Sequence, residues 1–98
     1  MPRESSKAWL VGAGPGSADL LTVRALRIIE QAQALLYDAL VGEEILALAP
    51  HRCLRIRTGK RAGGASMKQA EINALMARLA LKGRRVVRLK GGDPSVFG

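Results

Sequence analysis

Three polar residues that could carry chemistry each follow an apolar segment typical of a β-strand. They are Asp38 after Leu35–Tyr37, Lys60 after Arg52–Thr58, and Asp93 after Arg84–Leu89. If these strands are parallel, a carboxylate and an amine meet at one edge of a sheet, which is the arrangement that proton transfer requires. Asp38 is therefore a candidate proton acceptor and Lys60 a candidate proton donor. The alternative for Lys60 is an ordinary solvent-exposed loop lysine.

The segment RLKGGDPSVFG, Arg88–Gly98, predicts a loop that contacts a ligand. Gly91 and Gly92 lack a Cβ, so the backbone can adopt left-handed dihedrals and a ligand can approach the main chain closely. Asp93 precedes Pro94, which disfavours helical dihedrals at the aspartate. In an open α/β sheet, ligands bind at the carboxyl ends of the strands, where this loop is expected to lie.

A second glycine-rich turn, VGAGPGSADLLT at Val11–Thr22, follows the first apolar segment. Its GxGxG spacing lacks the third glycine of the dinucleotide-binding fingerprint, and Pro15 has no N–H to offer a pyrophosphate. Asp38 nevertheless lies near the position of a ribose-binding acid, which keeps a dinucleotide-binding oxidoreductase domain as an alternative.

The composition is that of one small basic domain. The chain has 98 residues, 48% of them hydrophobic, and a net charge of +8. The first 50 residues carry four Lys or Arg against six Asp or Glu, and the remainder carries twelve against two. This balance favours an anionic partner such as a nucleic acid, a membrane surface or a polycarboxylate. Three aromatic residues are too few for base stacking, so a basic binding module would have to recognise the shape or the phosphates of a nucleic acid.

Several classes of site and location are disfavoured by the sequence. With Cys53 and His51 as the only cysteine and histidine, we expect no disulfide and no metal site built from these residue types. No segment is long and apolar enough for a signal peptide or a membrane span, so we expect a cytoplasmic protein without a membrane partner. Residues 1–7 are expected to be disordered.

The pattern of apolar residues predicts the order β-α-β-α-β-α-β. The predicted strands are Ala8–Val11, Leu35–Tyr37, Arg52–Thr58 and Arg84–Leu89, with helices from Thr22 to Ala34, from Gly42 to Pro50, and from a capping box at Ser66 and Gln69 to Gly83. Such alternation indicates an α/β fold with a parallel, doubly wound sheet. Its carboxyl edge should carry Gly12–Gly16, Asp38, Lys60 and Gly91–Asp93.

Four motifs, in order, resemble those of the tetrapyrrole methylases. They are VGAGPGSADLLT, LLYDALV (Leu35–Val41), TGKRAG (Thr58–Gly63) and VVRLKGGDPSVFG (Val86–Gly98). The resemblance implies a two-domain α/β enzyme, usually a homodimer, with S-adenosylmethionine bound between the domains. Residues 1–98 would then form a single partial domain, most of the N-terminal one, which we expect to be inactive alone.

The resemblance also implies roles for individual residues. Pro15, Gly91, Gly92 and Asp93 would contact the cofactor, Val96 would line its pocket, Asp38 would accept a proton and Lys60 would donate one. Within the family, the motifs are most similar to those of enzymes that methylate uroporphyrinogen III at C-2 and C-7, giving precorrin-2 for sirohaem and cobalamin synthesis. The cofactor product would be S-adenosylhomocysteine, and no nucleic acid would be bound. Arg52, Arg55, Arg57 and Arg61 would be partners for the substrate carboxylates, while methylation of a later corrin precursor remains an alternative.

Overall fold

The chain forms a five-stranded sheet with helices on both faces. The structure, a computed structural model, describes residues 8–14, 17–59, 66–92 and 94–97. The strands are β1 (Ala8–Ala13), β2 (Ala34–Tyr37), β3 (Leu54–Arg57), β4 (Val86–Lys90) and β5 (Pro94–Phe97). The helices are α1 (Val23–Glu30), α2 (Glu43–Leu46) and α3 (Gln69–Leu81), with a 3₁₀ turn at Ala18–Leu20. The predicted alternation of strands and helices is confirmed up to β4.

The spatial order of the strands is β3-β2-β4-β1-β5, and the first four are parallel. The strand β5 was not predicted, because the sequence after β4 was interpreted as a loop. Instead the chain turns back after the glycine pair and pairs antiparallel with β1, placing Val96 opposite Val11. Pro94 is the first residue of this strand and lies at the edge of the sheet, where a missing N–H is tolerated. The sheet is therefore mixed and not wholly parallel.

The two faces of the sheet bury different side chains. Successive residues of a strand point to opposite faces, and Leu35 lies in one core cluster while Ala34 and Leu36 lie in the other. The first cluster includes Ala25 and Ile29 of α1 and Ile45 of α2, and the second includes Ile72 and Leu79 of α3. Helices therefore cover both faces of the sheet, as predicted. A site on this scaffold is expected at the ends of the strands and in the loops that follow them.

Local signals set most of the helix ends. Thr22 caps α1 by accepting a hydrogen bond from the N–H of Ala25 at 3.0 Å, and Gly83 follows α3 with a φ of +84°. The capping box predicted at Ser66 and Gln69 is wrong: the N-cap of α3 is Lys68, two residues later, and the Glu71 carboxylate accepts from the N–H of Lys68 at 2.8 Å. Among the residues that the structure describes, no helix is both long and apolar enough to cross a membrane.

Candidate functional site

The loops that follow β1, β2 and β4 meet at the carboxyl ends of the parallel strands, which form the carboxyl edge of the sheet. The N–H of Gly91 lies 3.3 and 3.4 Å from the two carboxylate oxygens of Asp38. The N–H of Gly92 donates to the carbonyl of Gly14 at 3.1 Å. The structure thus brings Asp38 and the glycine pair together, as parallel strands predict, and it adds Gly14 as a direct partner.

The Asp38 carboxylate is held in one orientation by backbone donors from two loops. One comes from Leu40, whose N–H donates to Oδ1 at 2.9 Å, and the other comes from Gly91. The side chain is half-buried. An ionised carboxylate accepts about four hydrogen bonds, so two backbone donors leave acceptor capacity free. Asp38 can therefore be fixed in place and still take a proton from a ligand.

The loop after β2 is packed between two glycines. A Cβ on Gly91 would lie 2.4 Å from the Cβ of Leu40, and a Cβ on Gly59 would lie 2.7 Å from the backbone nitrogen of Ala39. Real Cβ atoms are not found at such distances, so glycine at both positions leaves the space that the loop carrying Asp38 occupies. The sequence suggested that Gly91 makes room for a ligand, whereas the structure shows that it makes room for Leu40.

Gly92 differs from Gly91 in its backbone conformation and in the space around the missing Cβ. Its φ is +115°, a conformation that favours glycine. A Cβ at this position would meet none of the described atoms within 4 Å, so one side of its backbone is open. The predicted combination of left-handed dihedrals and an approachable main chain is therefore found at Gly92.

Two further contacts that the sequence did not indicate tie this edge together. The carboxylate of Glu44, in the first turn of α2, accepts from the N–H of Ala18 at 2.5 Å and so joins the loops after β1 and β2. Thr58 is buried and donates to the Tyr37 carbonyl from both its N–H, at 2.8 Å, and its hydroxyl, at 3.1 Å. From the sequence, Glu44 is predicted only to lie in the first turn of a helix. Its contact with Ala18 could not be predicted, because the two residues are far apart in the chain.

Four of the predicted site residues cannot be compared in the same detail. Pro15, Lys60 and Asp93 lie outside the described residues, as does Arg61 among the predicted substrate partners. Val96 lies in β5, with its backbone paired to that of Val11. Their roles remain predictions from the resemblance.

The prediction that Arg55 binds substrate carboxylates is wrong, because its guanidinium is bonded within the protein. Nη2 donates to the carbonyls of Leu46 at 2.9 Å and Ala49 at 3.1 Å, and Nη1 donates to that of Cys53 at 3.0 Å and, more weakly, to that of Pro50 at 3.4 Å. The carbonyls at the end of a helix lack partners within it. Arg55 bonds the last carbonyl of α2, that of Leu46, and three carbonyls in the segment that follows, so it has a structural role.

The two remaining described arginines among the predicted substrate partners, Arg52 and Arg57, lie at opposite ends of β3. Arg52 precedes β3 and therefore lies at its amino end, away from Asp38, so its predicted contact with the same substrate is not supported. Arg57 is the last residue of β3, pairs with Tyr37 in the register and is exposed. Arg57 is the described arginine that remains available at the candidate site.

Comparison with known proteins identifies relatives over most of the chain. Residues 7–98 match the sequence profile of the family described as Tetrapyrrole (Corrin/Porphyrin) Methylases. The siroheme synthase of Methylococcus capsulatus is 56% identical over 98% of the chain, and that of Neisseria meningitidis serogroup C is 61% identical over 91%. The chain spans 21% and 18% of these two proteins, about a fifth of their length.

Solved structures show the same similarity. A cobalt precorrin-4 methyltransferase superposes with a TM-score of 0.80 at 34% identity, covering 96% of this chain and 38% of that one. The uroporphyrin-III C-methyltransferase of Thermus thermophilus, solved in complex with S-adenyl homocysteine, gives a TM-score of 0.73 at 46% identity and covers 95% of this chain and 38% of that one. Sequence profile, relatives and fold agree, and the chain belongs to the tetrapyrrole methylase family.

Proposed function

We propose that the full-length protein is an S-adenosylmethionine-dependent C-methyltransferase that converts uroporphyrinogen III to precorrin-2 by methylation at C-2 and C-7. The observation that carries the proposal is the Asp38 carboxylate, held by backbone N–H groups beside the Gly91–Gly92 turn. The similarity to siroheme synthases and to a uroporphyrin-III C-methyltransferase supports this substrate and a place in sirohaem or cobalamin synthesis.

The carboxyl edge fits a cofactor of this kind. Gly92 is exposed, and the side of its backbone where a Cβ would stand is open among the described atoms. A ligand can therefore lie against the main chain at this turn, with Pro15, Gly91, Asp93 and Val96 proposed to complete its surroundings. S-adenosylmethionine supplies an activated methyl group, so the protein contributes mainly by holding the reacting partners in line.

Asp38 is proposed to accept the proton that the substrate loses. A pyrrole carbon that forms a new bond to a methyl group leaves positive charge on the ring, and loss of a proton restores neutrality. A fixed carboxylate within reach of that proton acts as a general base. The contacts from Leu40 and Gly91 set the direction of the Asp38 oxygens, and Lys60 is the proposed proton donor.

The surface beside Asp38 also suits a large ring that carries carboxylates. Leu40 is held by its N–H contact to Asp38, yet 78% of the residue is exposed, which gives an apolar patch next to the base. Arg57 adds an exposed cation at the same edge. A guanidinium binds a carboxylate through two parallel hydrogen bonds. This combination favours a tetrapyrrole substrate over a small neutral one.

The experiment is methylation by the full-length protein of uroporphyrinogen III in the presence of S-adenosylmethionine. Mass spectrometry should detect a product with two added methyl groups, together with two molecules of S-adenosylhomocysteine for each molecule of that product. Unconsumed S-adenosylmethionine under these conditions would contradict the proposal. A cobalt precorrin-4 substrate should be run in parallel, because the superposition with the enzyme for that compound favours a later corrin precursor as the second candidate. Methylation of that compound alone would select the alternative.

Two properties of the full-length protein belong to the same proposal. We expect a homodimer, as the family resemblance implies, and a cytoplasmic location. Light scattering coupled to gel filtration would measure the oligomeric state, and a monomer at the concentration used for the assay would contradict the first expectation.

A further inference from the structure

A groove lies at the amino edge of the sheet, at the opposite end of the strands from Asp38. It is lined by the segment that leads from α1 into β2, by the turn before β3 and by the two arginines before β4, and its volume is about 620 Å³. Sites for small organic molecules in proteins are commonly about 300–1,000 Å³. The groove is thus large enough for such a molecule, and the proposed methyl-transfer site does not include it.

Two of its arginines come from the segments that lead into the strands on either side of β2. Leu54 and Val86 both pair with Ala34, from the two sides of β2. Arg52 lies in the turn before β3 and Arg84 lies just before β4, and both line the groove. Because β3 and β4 are the two neighbours of β2, the two arginines reach the groove from the segments on either side of the start of β2.

The third arginine, Arg85, is anchored beside them. Its Nε donates to the carbonyl of Gln31 at 3.2 Å, and its N–H donates to Oε1 of Gln33 at 2.7 Å. These bonds fix one wall of the groove. They leave the terminal guanidinium nitrogens of Arg85 free of partners within the described part of the chain.

The charge of the groove is not balanced by its own residues. Three arginines line it against one acidic residue, Glu30. In the described ranges 17–59 and 66–92, none of the three forms an ion pair with a carboxylate. Its floor includes the buried, apolar Ala32 and Cys53. A cationic rim over a partly apolar floor matches an organic anion better than it matches a neutral or cationic ligand.

We propose that this amino-edge groove binds a small organic molecule carrying at least two carboxylate or phosphate groups. Arg52 and Arg84 hold separate oxyanions from the two sides of β2, Arg85 reinforces the wall, and the carbon skeleton lies on the apolar floor. The site is separate from the proposed methyl-transfer site, and the proposal does not depend on the function assigned to that site.

The test uses the full-length protein and two probes, inorganic pyrophosphate and tricarballylate, titrated calorimetrically at 0.15 M salt. We expect at least one probe to bind with a dissociation constant below about 1 mM, corresponding to about 4 kcal/mol. The double variant Arg52→Gln/Arg84→Gln should weaken this binding at least tenfold. The control Arg24→Gln/Arg78→Gln removes the same charge from exposed helix positions outside the groove and should change binding less than twofold.

Each outcome has a defined meaning. Binding of pyrophosphate alone supports the site with phosphate as its ligand group, and binding of tricarballylate supports it with carboxylate. Absence of binding by both probes overturns the proposal, and so does equal weakening by the groove and control variants. Titration with S-adenosylhomocysteine separates the two sites, because its affinity should be unchanged in the groove variant. A groove variant that loses its cooperative thermal transition would be replaced by Arg52→Lys/Arg84→Lys, which should weaken binding to a smaller extent.

Discussion

The two edges of the sheet carry different kinds of chemistry on the same scaffold. At the carboxyl edge, backbone N–H groups of Leu40 and Gly91 converge on the carboxylate of Asp38, and glycines make the close packing possible. At the amino edge, the carbonyl of Arg85 accepts from the N–H groups of both Gln33 and Ala34, and the groove there is lined by cationic side chains. The carboxyl edge therefore combines a carboxylate with the backbone donors that orient it, whereas the amino edge offers mainly arginine side chains.

Removing the base at the carboxyl edge should produce the largest effect. Asp38→Asn keeps an oxygen that can accept from Leu40 and Gly91 but removes the basic carboxylate. General base catalysis contributes about 10²–10⁴-fold, so kcat in the methylation assay should fall by at least about 10². S-adenosylhomocysteine affinity and thermal stability should stay close to those of the wild type. Nearly normal kcat in this variant would limit Asp38 to a structural role.

Filling the space at Gly91 tests whether close packing against Leu40 holds the loops at the carboxyl edge together. The added methyl group of Gly91→Ala must displace Leu40, whose Cβ would lie 2.4 Å away, and overpacking costs about 1–3 kcal/mol. Urea denaturation should show this loss. Gly42→Ala is the matched control, because a Cβ at Gly42 would meet none of the described atoms within 4 Å, and it should cost less than about 1 kcal/mol. Equal stability of the two variants would refute the packing account.

Replacing Arg55 tests whether this arginine stabilises the fold or binds the substrate. Arg55→Gln removes a cation that bonds four carbonyls around the end of α2, and a hydrogen bond to a charged group contributes about 1.5–3 kcal/mol net of solvent exchange. Because Arg55 is only half-buried, we expect a net loss of about 1–2 kcal/mol in urea denaturation. Arg57→Gln is the charge-matched control and should leave stability unchanged. A raised KM for the tetrapyrrole with normal stability in Arg55→Gln would restore Arg55 as a substrate ligand.

The smallest effect concerns the thiol at the amino edge. Burial raises the pKa of Cys53 above its usual 9.0, against the opposing influence of the neighbouring Arg55 cation. The folded state therefore keeps this proton when the unfolded chain has lost it, so the stability present below pH 9.0 decreases as the pH rises beyond that value. Iodoacetamide should alkylate Cys53 more slowly in the native protein than in urea at pH 8 to 9. Equal rates would show that the groove floor is open to solvent.

Local patterns predicted most of the fold and the approach of Asp38 to the glycine pair at the carboxyl edge. The alternation of strands and helices implies parallel strands, and parallel strands bring Asp38 next to Gly91 and Gly92. The features that sequence analysis missed depend on contacts between distant segments. The strand β5 forms because one edge of β1 is free, and Arg55 is occupied because the end of α2 lies beside β3. Neither neighbour can be inferred from residues adjacent in sequence.

Hydrogen–deuterium exchange of the full-length protein, with and without saturating S-adenosylhomocysteine, tests the central claim that the carboxyl edge is the cofactor site. We predict slower exchange in peptides covering residues 10–14 and 88–92, and unchanged exchange in peptides covering 31–33, 52–54 and 84–85 at the amino edge. Protection confined to the amino edge, or no protection at 88–92 under saturation, would contradict the assignment.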